Sequence, residues 1–202
     1  MTEKKGLKKE QKKTLKTILI VITIILAAFV VAFFVLMGAG GSFEYRGVDF
    51  TRVSFCDAGP PCLVTYNTKV PIEYEGKPAN YNFYLRNDPR KLEKEVVFYG
   101  DLLLKKDMDM KITFNTSCGG YEKIALENFL NLHKIVGINI TSEEDISCDL
   151  LGNRMNVLME GGNETIVRQV GAACYKISVN DCDIIKGTER FMLETFVKIN
   201  EL

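Results

Sequence analysis

Ser117-Cys118-Gly119-Gly120 is the segment of this chain whose residue types come closest to a reactive site. It lies between a predicted strand and a predicted helix, where backbone N–H groups at the helix N-terminus can bind an anion. The same position would favour the thiolate form of Cys118. Because no dinucleotide-binding or Walker pattern accompanies the turn, we favour a tight turn that contains a disulfide-bonded cysteine.

His133 is the only histidine in the sequence, so a Ser-His-Asp or Cys-His nucleophile would have to use it. It follows Phe129 by four residues, near the edge of the apolar face of a predicted helix, and we interpret it as a packed or boundary residue. The sequence contains no G-x-S-x-G elbow and no C-x-x-C pair. We therefore predict no catalytic residue, no metal site and no cofactor.

The segment Arg86-Asn87-Asp88-Pro89-Arg90 is the densest group of polar residues in the chain. Asp88 before Pro89 favours a turn, and either arginine can pair with Asp88 or bind a carboxylate from outside. We predict Arg86, Asp88 and Arg90 as possible ligand contacts, with a solvated turn as the alternative.

The elements that position these residues begin with a membrane helix. Residues 17–37 form a run of 21 residues without charge, proline or glycine, and a helix of this length spans the roughly 30 Å of a bilayer core. Seven lysines in the basic tail, residues 1–16, predict a cytoplasmic N-terminus and a single-pass protein of the cell membrane. A cleaved signal peptide and a pilin-type leader at Lys4-Lys5-Gly6 are the alternatives.

A short linker, residues 38–42, leads to an extracellular domain predicted over residues 43–202. This part contains all six cysteines, an even number that fits an oxidising compartment and up to three disulfides. The compact loop between Cys56 and Cys62 predicts that these two pair, which leaves Cys174–Cys182 and Cys118–Cys148 by elimination. Three N-x-[ST] sequons also fall here and predict glycosylation candidates at Asn115, Asn139 and Asn163.

The first half of this domain has the composition of antiparallel strands, with aromatic and β-branched residues between Gly and Pro turns. The predicted strands cover residues 43–50, 51–55, 63–66, 70–74 and 81–85. The sequence therefore predicts a mostly antiparallel N-terminal half.

The second half changes to a mixed pattern. A strand over 109–115, an amphipathic helix over Tyr121–Val136 and a strand over 138–140 predict a βαβ-like unit. Short strands at 155–159, 165–170 and 175–179, a hairpin turn at Gly161-Gly162-Asn163 and a helix over Glu189–Ile199 complete the domain. The fold class predicted for the whole chain is α+β.

Charge excludes one class of partner. Without the seven lysines and two glutamates of the tail, 19 basic and 24 acidic residues remain, a net charge near −5. Nucleic-acid binding needs a basic face, so we predict no nucleic-acid partner. The basic tail instead fits anionic lipid of the bilayer.

Two segments resemble uncharacterised membrane-anchored proteins of small-genome archaea. They are residues 81–92, YNFYLRNDPRKL, and residues 174–182, CYKISVNDC, followed by Thr188-Glu189-Arg190-Phe191. The resemblance implies an archaeal cell envelope and supplies no activity, catalytic residue or cofactor.

Three function classes follow from these observations. The first is a non-catalytic, membrane-anchored binding or accessory module with a protein partner in the envelope. The second is an envelope enzyme that depends on a thiol or on carboxylates. The third is a pilin-like assembly subunit.

Overall fold

The apolar run of the sequence lies in one long helix, α1 (Glu3–Ala39). In the computed structural model, which describes residues 3–39, 41–57, 59–113, 118–142 and 147–201, the chain divides into two units, Met1–Ser42 and Phe43–Leu202. Within α1, the 19 residues Leu15–Phe33 are long and apolar enough to cross a membrane, and none is buried. The Thr23 hydroxyl donates to the Leu19 carbonyl at 2.8 Å, so this polar group is satisfied inside the helix. The helix fits a membrane anchor.

The second unit begins with a four-stranded sheet, sheet A. Its strands are β1 (Ser42–Tyr45), β2 (Val48–Phe55), β3 (Leu63–Tyr74) and β4 (Lys77–Leu85), in chain order across the sheet. β3 pairs antiparallel with β2 and with β4. Two predicted strands therefore merge into β3, whereas the strand predicted over 43–50 is interrupted because Arg46 and Gly47 adopt positive φ. The antiparallel N-terminal half is confirmed.

A six-stranded sheet, sheet B, and three helices form the rest of the unit. These elements are α2 (Pro89–Glu95), β5 (Phe98–Tyr99), β6 (Asp107–Ile112), α3 (Tyr121–Ile135), β7 (Asn139–Ser142), β8 (Met155–Gly161), β9 (Ile166–Gly171), β10 (Cys174–Val179) and α4 (Ile184–Asn200). The strand order is β5-β9-β10-β8-β6-β7. β6 and β7 pair parallel with α3 between them in the chain, which confirms the βαβ-like unit and the α+β class.

The predicted hairpin between β8 and β9 is wrong. β10 lies between these two strands, parallel to β8 and antiparallel to β9. The Gly162 N–H donates to the Val179 carbonyl at 2.8 Å, so the glycine segment turns over the end of β10. β8 is buried along most of its length, as expected of a central strand rather than one arm of a hairpin.

Helix α4 lies between the two sheets. On one side Phe191 packs on Tyr175 of sheet B, with ring centroids 5.4 Å apart. On the other side Phe196 packs on Phe83 of sheet A at 5.6 Å. Every residue from Gly187 to Val197 is buried. The helix predicted over Glu189–Ile199 is therefore only the second part of α4.

Gly187 allows this close packing of α4 on sheet B. A Cβ atom at Gly187 would lie 3.1 Å from Cγ2 of Ile177 in β10. To admit a Cβ atom at this position, the Ile177 side chain would have to move by a few tenths of an ångström.

Three disulfides connect the six cysteines, and they confirm one predicted pair. Cys56 pairs with Cys62, with Cα atoms 4.4 Å apart. The other bonds are Cys118–Cys182 and Cys148–Cys174, so the expected pairs Cys174–Cys182 and Cys118–Cys148 are wrong. The physical reason is β10, which is extended from Cys174 to Val179. At about 3.3 Å per residue, the strand carries the chain roughly 17 Å away from Cys174 before Cys182 is reached.

Candidate functional site

The polar segment Arg86–Arg90 is a helix cap in which two of the three predicted contacts bind each other. Asp88 is the N-cap of α2 and accepts from the Arg90 backbone N–H at 3.0 Å. The Arg90 guanidinium donates from Nη2 to Asp88 Oδ2 at 2.7 Å and lies over the Phe43 ring. These hydrogen bonds hold the pKa of the Asp88 carboxyl below its ordinary value. Asp88 and Arg90 therefore pair with each other within the fold, and their role as ligand contacts stays a prediction.

Arg86 differs from both. Within the part of the chain that the structure describes, its guanidinium makes no ion pair, and Arg86 lines a surface groove along the edge of β4. This β4-edge groove has a volume of about 280 Å³. Its walls come from sheet A and from one side of α3, and they comprise Leu63, Thr65, Tyr81, Asn82, Phe83, Tyr84, Arg86, Ile124, Asn128 and Asn131.

A second and more apolar groove lies where β3 passes the C-terminal ends of α3 and α4. This helix-end groove has a volume of about 540 Å³. Its lining residues are Pro71, Ile72, Glu73, Leu104, Lys105, Lys106, Ile135, Val136, Gly137, Ile138 and Ile199. Glu73, Lys106 and Pro71 of this lining are exposed, whereas its other apolar side chains are half-buried or buried. No local pattern in the sequence predicts this groove, because it joins residues more than 100 positions apart, such as Pro71 and Ile199.

His133 of α3 is fully buried against α4. We expected it near the edge of the apolar face of α3. Its Nδ1 lies 2.7 Å from the Phe129 carbonyl oxygen, and its Nε2 lies 3.3 Å from Thr195 Oγ1. Burial lowers the pKa of His133 to about 4. The packed interpretation is confirmed. The buried face of α3 consists of Ala125, Phe129, Leu132 and His133, whereas Ile124 and Val136 are only half-buried.

Glu189 is a buried carboxyl that the sequence analysis missed. It accepts hydrogen bonds from the backbone N–H groups of Arg86 and Asn87, at 2.6 and 3.0 Å, and from Asn87 Nδ2 at 2.7 Å. Burial raises the pKa of Glu189 to about 7 despite these donors. The carboxyl fixes the corner between β4 and α2, and it is only 2% exposed, so it does not face either groove as an acid or base.

One turn further along α4, a buried ion network was also missed. Glu194 Oε1 accepts from Arg190 Nη1 and from Arg46 Nη1, each at 2.6 Å. Arg190 Nε donates to the Val96 carbonyl at 2.9 Å. The i, i+4 spacing of Arg190 and Glu194 was the one available signal. The network ties α4 to the β1–β2 turn and to the end of α2.

The Cys118 turn holds no reactive thiol. Cys118 is bonded to Cys182, and none of the six cysteines is free. The Cys118 N–H donates to Glu122 Oε2 at 3.2 Å, so a carboxylate of α3 itself lies at this helix start. The thiol-dependent enzyme considered above therefore lacks its thiol, and Ser117 lies outside the described residues.

The sequons have exposed asparagines where they are described. Asn139 begins β7 and donates from Nδ2 to Asp107 Oδ1 at 3.2 Å, and Asn163 is exposed in the segment before β9. Asn115 lies outside the described residues. Glycosylation of these positions stays a prediction.

The structure thus brings Arg86 together with asparagine and tyrosine side chains, and it separates His133, Glu189 and Cys118 from the surface. In the described ranges no group of three or more His, Cys, Asp or Glu side chains is placed to hold a metal ion. No protein-family model, curated protein or solved structure matches the chain.

Proposed function

We propose that this protein is a membrane-anchored, non-catalytic binding or accessory module of the cell envelope. The observation that carries the proposal is the contrast between grooves and interior. The two grooves described are lined mainly by apolar, amide and tyrosine side chains, with Glu73, Lys105 and Lys106 in one and Arg86 in the other, a mixture that suits recognition. The groups with strongly shifted pKa values, His133 and Glu189, are sealed inside the fold, where a substrate does not reach them.

The partners that we propose are the lipid bilayer and a protein of the same envelope. The apolar helix supports the first, and three disulfides support an oxidising environment for the second unit. The lysine-rich tail favours a cytoplasmic N-terminus and a single crossing. The net acidic second unit makes nucleic acid an unsuitable partner. The resemblance to archaeal envelope proteins is compatible with this location.

Protease treatment of intact cells tests the orientation. We expect residues 43–202 to be degraded while an epitope tag at Met1 is protected, because the lysines hold the N-terminus in the cytoplasm. Permeabilised cells, in which the tag also disappears, are the control. Loss of the tag from intact cells would show the opposite orientation.

Photo-crosslinking tests the binding function. A benzophenone amino acid at Glu73, on the rim of the helix-end groove, is expected to give a discrete protein adduct in native envelopes. The matched control is the same amino acid at Val170, which is exposed on β9 outside both grooves. Equal labelling from both positions, or none from Glu73, would contradict a partner at this groove.

A further inference from the structure

We propose that the β4-edge groove binds an extended peptide of a partner protein that carries an acidic side chain, by adding it as a strand beside β4. The inference rests on the proposed binding function and names the partner's chemistry. Strand addition at a sheet edge is a recurring mode of peptide recognition, in which main-chain hydrogen bonds supply affinity and side-chain pockets supply specificity.

In the part of the chain that the structure describes, the edge of β4 has main-chain groups that no other strand pairs. There β4 is the last strand of sheet A and pairs with β3 alone, from Tyr66 opposite Leu85 to Tyr74 opposite Lys77, and the Phe83 carbonyl also accepts from Asn67 Nδ2 at 3.2 Å. Every second residue of such a strand directs its N–H and C=O away from its neighbour. Such an edge is a template for another strand unless it is blunted.

Blunting is confined to one half of β4. Lys77 and Pro78 lie in the first half, beside the tight turn at Glu75-Gly76, and charge and proline are the usual protections of an edge. The second half, Tyr81–Leu85, has neither. It is this second half that forms the groove, so the unprotected part of the edge coincides with the cavity.

The opposite wall of the groove suits a peptide backbone. Asn128 and Asn131 come from α3 and form this wall. On the strand side of the groove, Asn82 of β4 adds a third carboxamide. A carboxamide both donates and accepts hydrogen bonds, which matches the alternating N–H and C=O groups of an extended chain. Ile124 and Leu63 add apolar contacts for alternate side chains of the peptide.

Arg86 determines the charge of the peptide. Asp88 pairs with Arg90 and Glu194 pairs with Arg46, whereas in the described part of the chain the Arg86 guanidinium has no carboxylate within ion-pair distance. The buried Glu189 attracts it through space, and Arg86 is half-buried where it lines the groove. A carboxylate on the partner fits this position, because arginine binds carboxylates with two parallel hydrogen bonds.

A peptide-display experiment tests the inference. The full chain in lipid nanodiscs is screened with a random dodecapeptide phage library. We expect enriched peptides to share an acidic residue and to bind at least about tenfold more weakly to Arg86→Gln, which loses a charge-assisted pair. Asn128→Arg, which fills the groove, is expected to weaken binding similarly. The matched control is Glu127→Arg, an exposed neighbour that does not line the groove.

Hydrogen exchange supplies the readout specific to strand addition. In the wild type, bound peptide is expected to slow hydrogen exchange at alternate backbone amides within Tyr81–Leu85. The variants are compared with the wild type only if they unfold at the same temperature, which shows that they are folded. The inference is overturned if no peptides are enriched, or if Arg86→Gln and Asn128→Arg bind the peptides as tightly as the wild type does. It is also overturned if bound peptide slows exchange only at amides outside Tyr81–Leu85. A concentration-dependent dimer that Asn128→Arg abolishes would also overturn it, because the occupant would be a second copy.

The two proposals fail separately. An adduct from position 73 together with an unprotected β4 edge would leave the binding module standing without this peptide site. If position 73 gives no adduct and the library yields no enriched peptide, both the binding module and the peptide site are contradicted.

Discussion

Replacing Cys118 and Cys182 together with serine is expected to lower the free energy of unfolding of residues 43–202 by about 4 kcal/mol. The two cysteines are 64 residues apart in sequence, and in the chain-entropy model a cross-link stabilises more as the loop it closes lengthens. The bond also joins the start of α3 to the start of α4. Urea denaturation of the full chain in detergent, followed by tyrosine fluorescence, measures the loss.

The Cys56–Cys62 bond is the internal control for this prediction. Its cysteines are only 6 residues apart, so serine at both positions is expected to cost about 2 kcal/mol in the same model. An equal or larger loss at Cys56–Cys62 would show that loop length does not govern the stabilisation. Full stability of the Cys118/Cys182 variant would contradict a structural role for that bond.

The stability of the wild-type protein is expected to change little between about pH 4.5 and 6.5, because two buried groups oppose each other. Glu189 has a pKa of about 7 in the fold, above its ordinary 4.5. The folded state then retains a proton that the unfolded state has lost, so this group destabilises the fold as the pH rises through that range. His133 has a pKa of about 4, below its ordinary 6.5. The unfolded state binds the extra proton, so this group stabilises the fold as the pH rises.

Replacing one of the two groups is expected to reveal the pH dependence of the free energy of unfolding that the other group causes. With His133→Gln, the free energy of unfolding falls as the pH rises, by up to about 1.4 kcal/mol per pH unit and about 3 kcal/mol from pH 4.5 to 7. With Glu189→Gln, it rises over pH 4 to 6.5 by a similar slope. Urea denaturation at half-unit pH steps measures the three profiles.

The double variant His133→Gln/Glu189→Gln is the control and is expected to be as flat as the wild type. If the free energy of unfolding varied with pH in the same way in the wild type and both single variants, Glu189 and His133 would not have the opposing effects assigned to them. A falling profile for Glu189→Gln would reverse the sign assigned to His133.

The elements that the sequence predicted well are those set by local pattern. The run over 17–37 became a helix because apolar length alone determines it. A glycine turn separates two predicted strands at Glu75-Gly76, where both residues adopt positive φ. The helix predicted over Tyr121–Val136 ends as α3 at Ile135, and Gly137, with φ of +83°, follows it.

The features that the sequence did not predict depend on contacts between distant segments. Nothing local in 162–165 tells a hairpin from a segment that crosses the end of β10. The partners of Cys174 and Cys182 are set by β10, which carries the two cysteines apart, and not by their short separation in sequence. Of the candidate site, Arg86 was predicted from its residue type. Asn128 and Asn131 were not, since they lie in a helix and meet β4 only through the packing of α3. Glu189 gave no signal because carboxyls on a helix are normally solvated.

The position of α4 has a consequence for how the chain is made. The last helix of the sequence is the middle layer of the fold, packed on Tyr175 on one side and Phe83 on the other. While the chain emerges from the ribosome, both sheets therefore keep their apolar faces uncovered until the residues of α4 have been synthesised. A chain that stops before Ile184 would expose both faces permanently and is expected to aggregate or be degraded. Synthesis of α4, rather than the formation of either sheet, is thus the step that commits residues 43–202 to the native state.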